Sequence, residues 1–180
     1  FGRSGSGKGT QAKLLGQELA RKGRKYLYVE TGNRFRSFVT GGTYVGSLTK
    51  KVLDEGGLLP PFLPIWIWTE AFVNEFTGNE DLILDGLCRR AHEAPILDSA
   101  MKFFKLEKPT IIVIETSKEW ARLRLESRGR SDDKTEDVER RLSWFDTDVV
   151  PALAFFKGNP DYRSIIINGE QPLEKVHADI

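Results

Sequence analysis

The stretch Gly2–Thr10, GRSGSGKGT, constrains the fold of this chain more than any other. Gly2 and Gly7 stand at the interval of a phosphate-binding loop, and Lys8 follows directly. Glycines let successive backbone N–H groups curl around an anion with no side chain between. The stretch beyond Lys8 reads as a helix, so its positive end points at the same place and Lys8 adds a full charge. Such a loop leaves a buried strand and opens a helix, and the ligand it suits is a polyphosphate. The general pattern sets Ser or Thr directly after the lysine to bind magnesium. Here Gly9 intervenes and Thr10 comes one residue late, so a metal is expected to rely more on nucleotide oxygens and water. Only Phe1 precedes Gly2, and the strand that should feed the loop, central in the sheet, is expected ahead of it in the natural chain.

Four short apolar runs fit the fold that the loop requires: 26–29, 82–84, 111–114 and 164–167. None alternates polar with apolar, so both faces of each strand should be covered, as in a parallel sheet. Helical patterns fall between them at 8–22, 33–55 (in two pieces around Gly41-Gly42), 62–77, 90–105, 117–128, 135–157 and 171–180. Strand and helix in alternation read as an open α/β sandwich. Each run closes on polar or glycine residues: Glu30-Thr31-Gly32, Asp85-Gly86, Glu115-Thr116 and Asn168-Gly169. Open α/β sheets bind ligands outside the carboxyl ends of their strands, so these groups mark a site by position. In PPFLPIWIWTEAFVNEF the aromatics recur at helical spacing, and Trp66 and Trp68 are expected to pack rather than touch ligand.

Bulk properties exclude some partners. The formal net charge of +1 offers no general attraction to nucleic acid or to a membrane surface, so neither is expected as a partner. The apolar run around Trp66 is broken by prolines and too short to span a bilayer. A single cysteine, Cys88, rules out an internal disulfide framework and suits a reducing, cytoplasmic setting.

Taken in order, GSGKGTQAKLL, ETGNRFR, DEGGLL, LILDGLCRRAHEA, RLRLESRGRSDDKTEDVERRL and INGEQPLEKV resemble the motifs of the adenylate kinase family, nucleoside monophosphate kinases. The resemblance is collinear over essentially the whole chain. It implies a P-loop NTPase-type parallel five-stranded sheet flanked by helices on both faces, its first strand absent from this chain. It further implies one kinase domain over 1–180, with a monophosphate-binding region at about 30–60 and a very short lid at about 128–131. The implied reaction is transfer of the γ-phosphoryl of ATP to a nucleoside monophosphate, with Mg2+, by a monomer.

Carried over by position, Gly5, Ser6, Gly7, Lys8, Gly9 and Thr10 hold the ATP phosphates. Arg124 lies against the ATP base, and Gln171 approaches it through its backbone. Lys8, Arg128, Arg130 and Arg141 surround the transferring group, while Arg36 and Arg89 clamp the monophosphate. Thr31, Gly57, Leu58, Leu59, Gly86 and Glu93 line the acceptor, and Asp85 holds magnesium through water. The residue types suit the task. The attacking phosphate oxygen is already ionised at neutral pH, so the difficulty is to hold two anions in line and keep water out. Guanidinium groups grip phosphate oxygens bidentately and keep their charge. Asp132-Asp133 is expected to support the lid and the helix after it.

Four departures qualify the resemblance. Asn33 replaces an aspartate, which predicts weaker magnesium binding with Asp85 still present. Leu87-Cys88 stand where Phe-Pro is usual, and Cys88 is expected to be a buried filler. Glu93 occupies the place of a glutamine that reads adenine; a carboxylate only accepts, which suits the N1–H and N2–H donors of guanine. Thr31 matches the AMP pattern, so AMP leads, GMP is the rival and a pyrimidine monophosphate remains open. Lastly, only Gly129 separates Arg128 from Arg130, which predicts a less closed site and a raised leak of ATP to water. Asn33, Glu93 and the clipped lid also leave open a binding module that kept the fold and lost transfer.

Overall fold

The computed structural model describes residues 1–55, 57, 59–128 and 135–180, the side chains of 128 and 135–137 excepted. They form an α/β fold in which each described strand pairs in parallel with another. Two compact units emerge, residues 1–15 with 88–180 and residues 16–87.

In the first unit, β3 (Thr110–Glu115) pairs with β4 (Arg163–Asn168), Ile111 opposite Ser164 through Glu115 opposite Asn168. The earliest residues join them: Gly2 bridges in parallel to Ile114, whose N–H donates to the Phe1 carbonyl at 2.9 Å. The β-branched runs TIIVIE and SIII favour the extended, half-covered surface that strands provide. Ile114, Ile167 and Val176 make one core, with Ile112, Ile165 and Ile180 against it. Helices α6 (Lys118–Arg128) and α7 (Thr135–Trp144) share another through Ala121, Leu125, Val138 and Leu142. The unit also holds α5 (Ala94–Phe103), α8 (Val150–Lys157) and α9 (Leu173–Asp179).

Two predicted helices differ in detail, both at prolines. The continuous helix expected over 135–157 is instead α7, a π turn (Phe145–Val149) and α8. Pro151 has no N–H to return to the turn before it, and the backbone widens there. The helix expected from 90 starts as a 3-10 turn (Ala91–Glu93) and becomes α5 at Ala94, because Pro95 fits only a first turn.

In the second unit, β1 (Tyr26–Glu30) pairs with β2 (Asp81–Asp85), and the two acids at their carboxyl ends, Glu30 and Asp85, are register partners. Helix α2 (Thr31–Thr40) leaves β1 without a linker, and α3 (Tyr44–Asp54) is capped by Thr43, whose hydroxyl accepts from the Gly46 N–H. Phe35, Leu63 and Ile67 form the core between α2 and α4 (Phe62–Glu75). Trp68 is fully buried against Phe72, as the helical spacing predicts, whereas Trp66 touches Phe38 but stays 44 % exposed, at the outer face of the helix. The remaining helix, α1 (Lys8–Arg21), begins in the first unit and ends in the second. Among the described residues the strands make two two-stranded sheets and one bridge, where a five-stranded sheet was expected. No described helix is long and apolar enough to cross a membrane.

Candidate active site

The glycine-rich loop turns where the sequence predicts. The Ser6 N–H donates to the Arg3 carbonyl at 3.1 Å, and α1 starts at Lys8. Two glycines serve different ends. Gly5 adopts φ +87°, and a Cβ there would stand 2.4 Å from the Ala121 carbonyl oxygen, so the loop is pressed onto α6. Gly7 adopts φ +86°, yet a Cβ there would meet nothing within 4 Å. The first position is closed by protein; the second faces open space. No acidic residue sits in the first turn of α1, so its positive end is left uncountered locally. The Lys8 ammonium donates to the Arg3 carbonyl at 3.4 Å. The Ser6 hydroxyl is buried and finds no partner in the described protein.

Beside the loop lies an open pocket of about 380 Å³, lined by Arg3, Thr116, Ser117, Phe145, Asn168 and Glu170 among others. Its walls are the polar strand ends singled out by the sequence, and the buried Thr116 hydroxyl also lacks a protein partner. Buried polar groups are nearly always paired. Two such unpartnered hydroxyls lie close to the loop and its adjoining pocket; the Thr49 hydroxyl and the Trp68 ring N–H are unpartnered elsewhere in the chain.

The same unit holds the other residues assigned to ATP and to transfer. Arg124, on α6, places its guanidinium 5.0 Å from the Trp120 ring centre. Gln171 donates to the Asn168 carbonyl at 2.8 Å. Arg141 lies half-buried on α7 and Arg89 is exposed just after β2. Arg130, Asp132 and Asp133 lie outside the described residues, as do the Arg128 side chain, Leu58 and the lid expected at about 128–131 beyond its first residue.

Glu93 is only 2 % exposed. Burial pushes its carboxyl above the usual carboxylate range, partly offset by His92, Arg89 and Arg90. Cys88 adjoins it, fully buried at φ +53°, its thiol pushed up by burial and by the Glu93 charge. A thiol so placed is a poor nucleophile.

The second unit carries the residues assigned to the acceptor. Thr31 opens α2 and is 3 % exposed, with its hydroxyl unpartnered in the described protein. Arg36 donates to Glu30 at 3.1 Å. The Tyr28 hydroxyl donates to Asp85, and burial together with the charges of Asp85 and Glu30 pushes that phenol well above its ordinary value. Gly57 donates to the Val52 carbonyl at 2.8 Å, Leu59 packs on the Phe35 core, and Gly86 turns at φ +76°.

Sequence reasoning missed three contacts: Arg3 with Asp146, Arg36 with Glu30, and Tyr28 with Asp85. For the last, the sequence puts only Tyr28 and Glu30 on one strand face, and the register that brings Asp85 beside Glu30 is set by the fold.

Comparison with known proteins agrees. The family model for adenylate kinase matches residues 1–160. The adenylate kinase of Leptospira biflexa serovar Patoc is 31 % identical over 180 residues, covering 98 % of this chain and 92 % of the relative. That of Mycolicibacterium vanbaalenii is 32 % identical over 182 residues, covering 99 % and 93 %. That of Bacteroides fragilis is 29 % identical over 184 residues, covering 100 % and 93 %. With its phosphate loop, orphan hydroxyls and parallel strands already described, this chain belongs to the adenylate kinase family and is a phosphotransferase of the nucleoside monophosphate kinase type.

Proposed function

We propose that the chain moves the γ-phosphoryl group of ATP directly to AMP, giving two molecules of ADP. An ionised oxygen of the AMP phosphate attacks the γ-phosphorus, and the bond from that phosphorus to the β–γ bridging oxygen breaks. No proton has to move, so the protein's contribution is alignment and charge. Lys8, at the positive end of α1, and Arg141 and Arg128 bear the equatorial charge in this reading, with Arg130. Arg36 and Arg89 hold the acceptor phosphate, and Arg36 exchanges its Glu30 partner for that phosphate. The observation that carries the reading is the loop itself. Gly7 leaves open space where a phosphate would lie, while Lys8 and the buried, unpartnered Ser6 hydroxyl adjoin it.

A magnesium ion fits this site as a partner of the substrates. Among the described residues no three metal-binding side chains gather, whereas Asp85 is a buried carboxylate aimed by Tyr28. Magnesium keeps several waters and is held by one or two carboxylates plus phosphates, which suits this donor set. Asp85 would hold it through water, and the ion would supply charge neutralisation on the phosphate oxygens.

The reading also includes a single kinase domain with its acceptor region at about 30–60, a lid at about 128–131, a monomeric state and a cytoplasmic location. The five-stranded sheet belongs to it too, supported by the parallel bridge of Gly2 to Ile114.

GMP is the second acceptor to test, because an ionised Glu93 suits guanine. Burial pushes the Glu93 carboxyl upward, toward AMP instead: wherever that carboxyl is protonated it donates through O–H and accepts through C=O, as an amide does toward adenine. ADP formation should therefore be measured with AMP, GMP, CMP and UMP side by side. Turnover highest with AMP supports the reading, exclusive use of a pyrimidine overturns it, and no transfer at all leaves a nucleotide-binding module.

A further inference from the structure

Arg3 occupies a position that the loop motif leaves unspecified. Its guanidinium makes a fork on Asp146, Nη2 to Oδ1 at 2.6 Å and Nη1 to Oδ2 at 3.0 Å. Nη1 also donates to the Leu142 carbonyl at 3.1 Å, and the group lies 4.6 Å from the centre of the Phe145 ring. Lys118, at the start of α6, adds its ammonium to the same carboxylate at 3.0 Å. The Arg3 side chain is 15 % exposed. A lone surface ion pair orders little. Here a planar fork, a carbonyl and an aromatic face all fix one guanidinium, the geometry to which arginine is suited and lysine is not.

The main chain of Arg3 works in the other direction. Its carbonyl accepts from the Ser6 N–H and from the Lys8 ammonium. One residue thus holds the loop and its lysine by its backbone and the end of α7 by its side chain. Leu142 is the neighbour of Arg141, and Asp146 stands in the π turn that closes α7. π turns often sit at functional sites, where they re-aim what precedes them.

We propose that Arg3 is a positioning residue, whose fork on Asp146 and the Leu142 carbonyl sets where the end of α7, with Arg141, stands relative to the loop that carries Lys8. The proposal rests on the kinase reading above. It differs from a direct role, in which Arg3 would leave Asp146 to grip an ATP phosphate.

The test compares R3A, R3K, D146N and the R3A/D146N double variant with the parent protein. It reads ADP formation at varied ATP and AMP, ATP affinity by calorimetry, and amide hydrogen exchange over residues 138–149. R3A and D146N should each lower kcat by about 10- to 100-fold, the scale of a small misplacement of catalytic groups. ATP affinity should stay within about twofold, and the double variant should be no worse than the poorer single one. R3K, keeping the charge without the fork, should behave like R3A. Exchange over 138–149 should quicken about tenfold in both single variants, a readout independent of turnover. Unchanged exchange overturns the proposal whether or not the parent protein makes ADP. So does weakened ATP binding in R3A alone, or losses that multiply in the double variant. If R3A fails to fold, D146N decides, since it removes one charge from a half-exposed side chain. A parent protein that forms no ADP overturns the kinase reading and leaves the exchange result standing.

Discussion

The Tyr28 phenol, from the middle of β1, donates at 3.1 Å to Asp85 at the carboxyl end of the paired β2. In the kinase reading, where Asp85 holds magnesium through water, that hydroxyl would be a supporting contact aiming one carboxylate oxygen. Tyr28→Phe should therefore raise the Mg2+ concentration for half-maximal activity by about tenfold, the low end for such contacts, and leave kcat at saturating Mg2+ nearly unchanged. A magnesium titration of ADP formation checks this. An unaltered half-point would show that Asp85 needs no such aim.

Gly5→Ala should damage the loop itself. The new methyl would meet the Ala121 carbonyl oxygen, at a φ that L-residues rarely adopt. The expected loss is about 1–3 kcal/mol of stability, with weakened ATP binding. Gly7→Ala shares the unfavourable φ but meets nothing, so thermal melting should separate the two, Gly5→Ala unfolding first.

Thr31→Val trades function for stability. Its buried hydroxyl has no partner in the described protein, and replacing an unsatisfied polar group by an apolar one of the same shape is neutral or stabilising. In the kinase reading that hydroxyl is kept for the acceptor. The variant should melt no lower than the parent protein while its KM for AMP rises several-fold, by about 1 kcal/mol of lost hydrogen bonding. A lower melting temperature with unchanged KM would make Thr31 structural.

Glu93→Gln gives a prediction in pH. Burial raises the folded-state value of this carboxyl, so the native protein keeps a proton that the unfolded chain has released above the ordinary carboxylate range. Stability from this group is full below that range and falls as pH rises through the raised value. Denaturant titrations should show the decline in the parent protein and a flatter profile in Glu93→Gln. In the kinase reading, where Glu93 faces the acceptor base, the KM for AMP should rise over the same interval in the parent protein and stay level in the variant, because a permanent amide replaces the titrating donor. A variant that keeps the parent profile would assign the pH dependence elsewhere.

Much of the fold was legible because its signals are local. The apolar runs at 26–29, 82–84, 111–114 and 164–167 all became strands, and the polar residues closing them lie at strand ends. The loop was legible for the same reason: glycine spacing and one lysine carry their own geometry. Helix continuity over 135–157 was not, since a proline one turn into a helix and a proline that opens a new one look alike in sequence. The contacts of Arg3 and Glu30 were hidden more deeply. Each depends on a partner whose nearness only the folded chain decides: Asp146 lies far along the sequence from Arg3, and Arg36 reaches Glu30 across a strand-to-helix corner. Burial worked likewise on Glu93, whose sequence suggests a charged acceptor while its surroundings favour a neutral acid.

Cys88 is the chain's only cysteine, wholly enclosed and held in its unreactive form. An aromatic disulfide reagent added to the intact enzyme should find nothing to modify, and each labelled molecule would report one opening event. These 180 residues thus carry their own single-site clock for unfolding, readable by colour without any attached dye.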